Sequence, residues 1–220
     1  SEQPFETLRD RRALLDTYDD FLELSEAHNT SEFRTPTSIA RLLAELARPQ
    51  PEDRIYDPCF GAAGLLTMAY EHVLRNLPKT YRRGDIPILN VYGIELNNSV
   101  SVIGIARLAL AGIESPQLEA GNSLERKASD NHPRDGYDII LADPPWGQRI
   151  NKKDLEQGRF SHYAYRTSDT SSLFIQHALQ QLKPGGRMVI VVPLGVLFRK
   201  GVDEQFRKML IEQYTIISVI

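Results

Sequence analysis

Asp143-Pro144-Pro145-Trp146 follows directly on the apolar run Tyr137–Ala142, and its residue types can do chemistry on an amine. Two consecutive prolines fix the backbone and remove two N–H donors, which leaves their carbonyls free to accept. The acid before them and the flat aromatic after them complete a small set of acceptors beside a stacking surface. Such a set suits a planar ring that bears an exocyclic NH2 group. A rigid strand-to-loop turn with a packed Trp would show the same four residues, so the other turns have to decide.

Asp57-Pro58-Cys59-Phe60-Gly61-Ala62-Ala63-Gly64 follows one short apolar run and opens a helix. Gly61 and Gly64 permit a tight turn and close backbone approach to a ligand that faces the helix N–H groups. The turn has neither the G-x-G-x-x-G dinucleotide fingerprint nor the Lys-Ser/Thr of a phosphate-binding loop. Glu95 ends a second run, where a carboxylate can accept both hydroxyls of a ribose. Gly121-Asn122-Ser123-Leu124 ends a third, where a short polar side chain could reach an adenine edge. Taken singly these are turns; a surface acid at a strand end is common. His162 and His177 invite roles as bases, and neither is assigned one: His177 falls in the apolar pattern of a helix and reads as a packed core histidine.

These turns need a scaffold, and the periodicity supplies one. An amphipathic helix is predicted over 11–28, with Leu14, Leu15, Tyr18, Phe21, Leu22 and Leu24 as its stripe. A second is predicted over 38–48, capped by Thr37 and stopped by Pro49 and Pro51. Strands are predicted at 54–57, 88–94, 117–120, 137–142, 187–192 and 215–220, and helices at 63–76, 99–111, 171–182 and 203–213. Regular β-α-β alternation implies an α/β fold with a doubly wound, mostly parallel sheet covered on both faces. Ligands in that architecture bind beyond the carboxyl ends of the strands. Residues 77–87 read as an exposed connector. Residues 147–170, with Phe160, His162, Tyr163 and Tyr165, read as a substrate-facing lid rather than a tether.

Composition narrows the function classes. At 220 residues, with 41% hydrophobic and 25% charged residues, the chain can build one full core. No apolar run is long enough for a membrane span. Cys59, alone, makes no internal disulfide and fits a reducing cytoplasm, and no Cys/His cluster argues for a metal. A net charge of −3 is not that of a stand-alone nucleic-acid binder, although Arg82-Arg83, Lys152-Lys153, Arg199-Lys200 and Arg207-Lys208 are local basic pairs.

In order, a glycine turn, an acid, a polar residue and Asp-Pro-Pro-Trp resemble the S-adenosylmethionine-dependent amino-methyltransferases. Glu32-Phe33-Arg34-Thr35-Pro36 is similar to the F-x-T-P element with which one branch grips the methionine end of its cofactor. Ser172–Val192 and Pro193–Gly201 closely resemble the modification subunit of type I restriction–modification systems. That resemblance, from about residue 31 to the end, implies a Rossmann-like class I methyltransferase domain at 31–220. Residues 1–30 then read as the tail of a missing helical domain, and the last strands as truncated. It implies methyl transfer from S-adenosyl-L-methionine to the N6 amine of adenine in DNA, with Asp143, Pro144, Pro145 and Trp146 catalytic and Phe198 as a second face for the base. It places the cofactor against Glu32, Phe33, Thr35 and Pro36, against Asp57, Pro58, Gly61, Ala62 and Gly64, and against Glu95, Leu96, Asn122 and Ser123. The implied partners are DNA, a DNA-specificity subunit, a restriction subunit and a second modification subunit. Phe60 and Ala62 stand where the family has smaller or hydroxylic residues, Asn122 where it commonly has Asp, and Asp143 and Trp146 where it reads Asn and Phe or Tyr. Two alternatives share parts of the pattern: an RNA base amino-methyltransferase, and a non-catalytic subunit that keeps the fold. Phe33-x-Thr35-Pro36 and the 195–201 stretch argue against the first, and intact Asp143–Trp146 against the second.

Overall fold

Five parallel strands, β1 (Arg54–Asp57), β2 (Asn90–Glu95), β3 (Gln117–Ala120), β4 (Tyr137–Ala142) and β5 (Leu182–Ile190), lie in the order β3-β2-β1-β4-β5. The structure, a computed structural model, describes residues 8–26, 35–77, 89–127, 130 and 133–220. The chain runs outward from β1 to β3, then returns to the other side of β1 as β4. The order therefore reverses between β1 and β4, and in this architecture ligands bind at the carboxyl ends of the strands beside such a reversal. Near-continuous apolar runs such as Tyr137–Ala142 suit strands buried on both faces.

One face carries α1 (Leu8–Glu26), α2 (Thr37–Ala47), α3 (Gly64–Asn76) and α4 (Asn98–Ala111); the other carries α6 (Thr170–Gln181). A short α5 (Lys152–Glu156) follows β4, and α7 (Gly195–Phe198) and α8 (Val202–Gln213) follow β5. The main core gathers Ile55, Leu66, Val91, Leu108, Ile139 and Leu141 under α2–α4. Among the described residues no helix is long and apolar enough to cross a membrane.

Helix α1 docks on α4 through buried Leu15 and Leu22, through the Tyr18 hydroxyl donating to the Ile103 carbonyl (3.0 Å), and through Asp19 paired with Arg107. Phe21, counted in the apolar stripe, is exposed: it falls on the flank of the 15–18–22 seam. Thr37 does not cap α2; Pro36 occupies that position with φ −52°, and its carbonyl accepts from Ala40 N (2.9 Å). Proline presets that φ, so the chain enters the helix one residue early. The connector at 78–87 lies outside the described residues.

Regular pairing of β5 begins at Arg187 opposite Ile139, as expected, but the strand reaches back to Leu182 across an irregularity opposite Tyr137. The predicted strand at 215–220 is absent, and Ile216, Ile217, Val219 and Ile220 are exposed. Branched residues have the propensity, but a strand exists only in a ladder, and no described strand pairs with this run.

Phe60 has a packing role that its sequence position conceals. A Cβ at Gly93 would lie 2.7 Å from its ring, and one at Gly104 would lie 2.9 Å from the ring and 2.7 Å from the Gly61 carbonyl. Two glycines, on β2 and α4, thus leave the volume that the ring fills under the glycine turn. Phe60→Ala should cost about 3–5 kcal/mol, read as a lowered urea midpoint at unchanged slope.

Candidate active site

Asp57 is the last residue of β1, Asp143 the first after β4, and Glu95 the last of β2. Because β2, β1 and β4 are neighbours, their parallel ladders bring all three acids to one edge of the sheet. Each is held by uncharged donors. The Asp57 carboxylate accepts from Cys59 N (3.0 Å), and Glu95 accepts from Gly61 N (3.0 Å) and Asn97 N (2.7 Å). Asp143 takes a hydrogen bond from the Thr35 side chain. Burial, reinforced by the charges of Glu95 and Asp143, pushes the Asp57 carboxyl up to about 8 against the opposing Cys59 amide. Burial also raises Asp143, and the Thr35 hydrogen bond restrains the rise. Among the described residues, none of the three carboxylates is ion-paired, and no group of His, Cys, Asp or Glu is arranged to hold a metal ion.

The turn that follows β1 differs in detail from expectation. Gly61 (φ 52°) and Ala63 (φ 59°) take the left-handed conformation, whereas Gly64 begins α3 with an ordinary φ. A Cβ on Gly64 would meet Arg107 Nη1 at 3.6 Å, an ordinary contact. No side chain caps α3, so the turn leaves first-turn amides of the helix without that partner. Pro58, Ala62 and Gly64 lie in this turn as expected, and Thr35-Pro36 reaches the same edge through the Thr35–Asp143 contact. Glu32 and Phe33 lie outside the described residues.

On the β2–β3 side, Leu96 is exposed beside buried Glu95. The Asn122 side chain is engaged locally: its oxygen accepts from Leu124 N (3.1 Å) and its amide donates to Glu125 (3.0 Å). It therefore shapes the turn, with Ser123 buried beside it. On the β4 side Pro144 is buried, while Trp146 (58% exposed) and Phe198 (70% exposed) stand free of the core. A core role for Phe198 is thereby excluded.

Two features were missed in the sequence. Arg107, buried on α4, donates to the Ala62 carbonyl (3.3 Å) and pairs with Asp19, so one guanidinium joins α1 to the glycine turn. The available signal was one charge in the otherwise uncharged helix Asn98–Ala111. The second feature runs under the site: Tyr56 hydroxyl to His177 Nε2 (3.0 Å), His177 Nδ1 to Tyr163 hydroxyl (3.3 Å), and Tyr163 hydroxyl to the Leu124 carbonyl (2.9 Å). Burial holds the His177 pKa down at about 3, so it is a neutral core histidine, as its pattern implied. Tyr163 and Phe160 also pack on Leu124 and Leu173, and the loop that carries them closes at its neck with Ile150 N bonded to the Ser168 carbonyl (2.8 Å). Residues 147–170 are therefore no tether.

Comparison with known proteins places this geometry. The family model described as N-6 DNA Methylase matches residues 9–220. The chain is 29% identical over its whole length to the type I restriction enzyme EcoEI methylase subunit of Escherichia coli, covering 44% of that protein. It is 30% identical over 84% of its length to the type II restriction enzyme and methyltransferase RM.BcgI of Heyndrickxia coagulans, covering 27% of it. The crystal structure of a modification subunit assigned to a type I restriction enzyme of Vibrio vulnificus YJ016 superposes with a TM-score of 0.79 at 28% identity, over 93% of this chain and 43% of that one. The chain thus spans less than half the length of these relatives. A five-stranded parallel sheet, an acid-bearing edge and a family match over nearly every residue agree: the chain belongs to the N-6 DNA methylase family.

Proposed function

We propose that residues 31–220 form the catalytic domain of a modification subunit, following a helical segment at 1–30. It transfers a methyl group from S-adenosyl-L-methionine to the N6 amine of adenine in DNA. The observation that carries the reading is the set of three acid side chains at adjacent strand ends with no basic side chain paired to them among the described residues. Such a site favours a cationic ligand, and S-adenosylmethionine brings an ammonium and a sulfonium. In this reading Thr35-Pro36, with Glu32 and Phe33, faces the methionine end. The Asp57–Gly64 turn supplies backbone, Glu95 and Leu96 face the ribose, and the Asn122-Ser123 turn faces the adenine.

The bound cofactor supplies an electrophilic methyl group. An exocyclic amine is a poor nucleophile because its lone pair is delocalised into the ring. Hydrogen bonds from its two protons to the Asp143 carboxylate and the Pro144 carbonyl favour a pyramidal nitrogen and free that lone pair. Positioning and charge stabilisation then provide most of the acceleration. The target base has to leave the duplex stack, and exposed Trp146, with Phe198 as a second face, offers apolar surface to receive it. The 147–170 loop serves as the substrate-facing lid. Relatives named as methylase subunits of type I restriction enzymes support membership in a complex. That its other members are a specificity subunit, a restriction subunit and a second modification subunit, acting on DNA in the cytoplasm, is part of the same proposal.

Isothermal calorimetry should show S-adenosylmethionine binding that falls at least about tenfold in Glu95→Ala and in Gly61→Val, which forces a branched side chain into a left-handed backbone. Binding of NAD in its place would overturn the reading. At pH 7 the raised Asp57 carboxyl is protonated, and a cation beside it lowers its pKa. Binding should therefore release up to about one proton, visible as a dependence of binding heat on buffer ionisation enthalpy and lost in Asp57→Asn. Asp143→Ala should retain cofactor affinity yet lose about 100-fold or more in methyl transfer, with Asp143→Asn milder. Because protonation removes an acceptor, wild-type transfer should fall with decreasing pH at values above the ordinary Asp range. In Asp143→Asn that acid limb should disappear.

A further inference from the structure

The loop 147–170 carries five basic and three acidic residues in a chain whose net charge is −3. All three acids are already paired: Asp154 with Arg159 (2.9 Å), Glu156 with Lys152 (3.6 Å) and Asp169 with Arg199. Arg159 is further engaged by Glu125 (2.8 Å). The exposed side chains of Arg149, Lys153 and Arg166 are left with no carboxylate among the described residues. Uncompensated cations on one short loop mark a surface for anions.

Arg166 has more than exposure. It lines a cavity of about 270 Å³ together with Ser161, Thr167 and Ser168, over an apolar wall of Leu155, Phe160 and Leu173. A guanidinium beside three hydroxyl-bearing residues matches the acceptor oxygens of a phosphodiester, which Arg can take in bidentate fashion. The wall that carries them is fixed by Phe160 packed on Leu124 and Leu173. Arg149 stands three residues after Trp146, on the strand-like neck that pairs Arg149 with Asp169. Both cations thus flank the segment that follows Asp143–Trp146.

We propose that Arg166, with Ser161, Thr167 and Ser168, is a binding site for a DNA backbone phosphate, and that Arg149 takes a second one nearer the reacting base. The site rests on the reading of the chain as a DNA methyltransferase and adds how the strand is held while a base is presented. These contacts position and carry no sequence information. They supply part of the electrostatic binding that the overall charge withholds.

The test is fluorescence anisotropy of a labelled 20-base-pair duplex with the 220-residue chain, titrated at several salt concentrations. Each phosphate contact contributes about −0.9 to the slope of log K against log salt. Arg166→Gln and Arg149→Gln should each make the slope shallower by about 0.9 and weaken binding about five- to tenfold at low salt. Arg166→Lys should keep the slope while losing part of the affinity. Lys208→Gln, at an exposed pair on α8, should match wild type, and calorimetric cofactor binding should be unchanged in every variant. Identical slopes for wild type and both glutamine variants would overturn the phosphate site while leaving the methyltransferase reading intact. A slope change with duplex RNA but not with DNA would also overturn it. Wild-type protein that binds cofactor but shows no salt-dependent DNA binding would sink the phosphate site and the DNA reading together.

Discussion

The arrangement depends on one electrostatic constraint: acid side chains placed at the edge of a parallel sheet, desolvated, and held among the described residues by backbone amides or a hydroxyl in place of cations. Taking an acid from water without a counter-ion is costly, so the fold has to hold these groups by other means. It does so with ladders. β1 lies between β2 and β4, and its position brings three sequence-distant acids to one edge. Those strands are kept in place by an apolar core on the α2–α4 face and a smaller one under α6. The glycine turn couples the constraint to the chain path, because Gly61, in the left-handed region, donates its N–H to Glu95.

Much of this was legible in the chain. β-α-β alternation gave the sheet, and the acids identified as strand-end residues are strand-end residues. The reason is physical: strand ends in a parallel sheet are marked by an apolar run breaking into a polar or glycine-bearing turn, and Asp57, Glu95 and Asp143 each stand at such a break. What failed to show was pairing. Thr215–Ile220 has the composition of a strand, but whether a partner strand lies beside it is not a property of those six residues. Thr37 is a good cap by type, and Pro36 pre-empts it by dihedral.

The site was less legible than the fold, because side-chain roles depend on distant neighbours. Phe60 reads as a departure within a cofactor turn, yet it fills space left by glycines 33 and 44 residues further along the chain. Asn122 reads as a ligand contact, and its side chain also holds its own turn together through Leu124 N and Glu125. Arg107 reads as a stray charge, and it ties the first helix to the Ala62 carbonyl. A lone polar residue inside an apolar helix is the pattern worth pursuing, since a buried guanidinium has to find acceptors.

The buried chain from Tyr56 through His177 to Tyr163 has a direction. A carbonyl can only accept, so the Tyr163 proton goes to Leu124. The Tyr163 oxygen then receives the proton on His177 Nδ1, which leaves Nε2 as the acceptor for Tyr56. One tautomer satisfies every group, and the other would set two acceptors, His177 Nδ1 and the Tyr163 oxygen, against each other. With the ring neutral down to about pH 3, no titration in the physiological range reverses this order. The first strand, the sixth helix, the loop beyond Trp146 and the turn after the third strand are joined by a single polarised sequence of protons. Such a sequence is satisfied as a whole or not at all, so the four elements hold one relative placement and resist sliding by small steps.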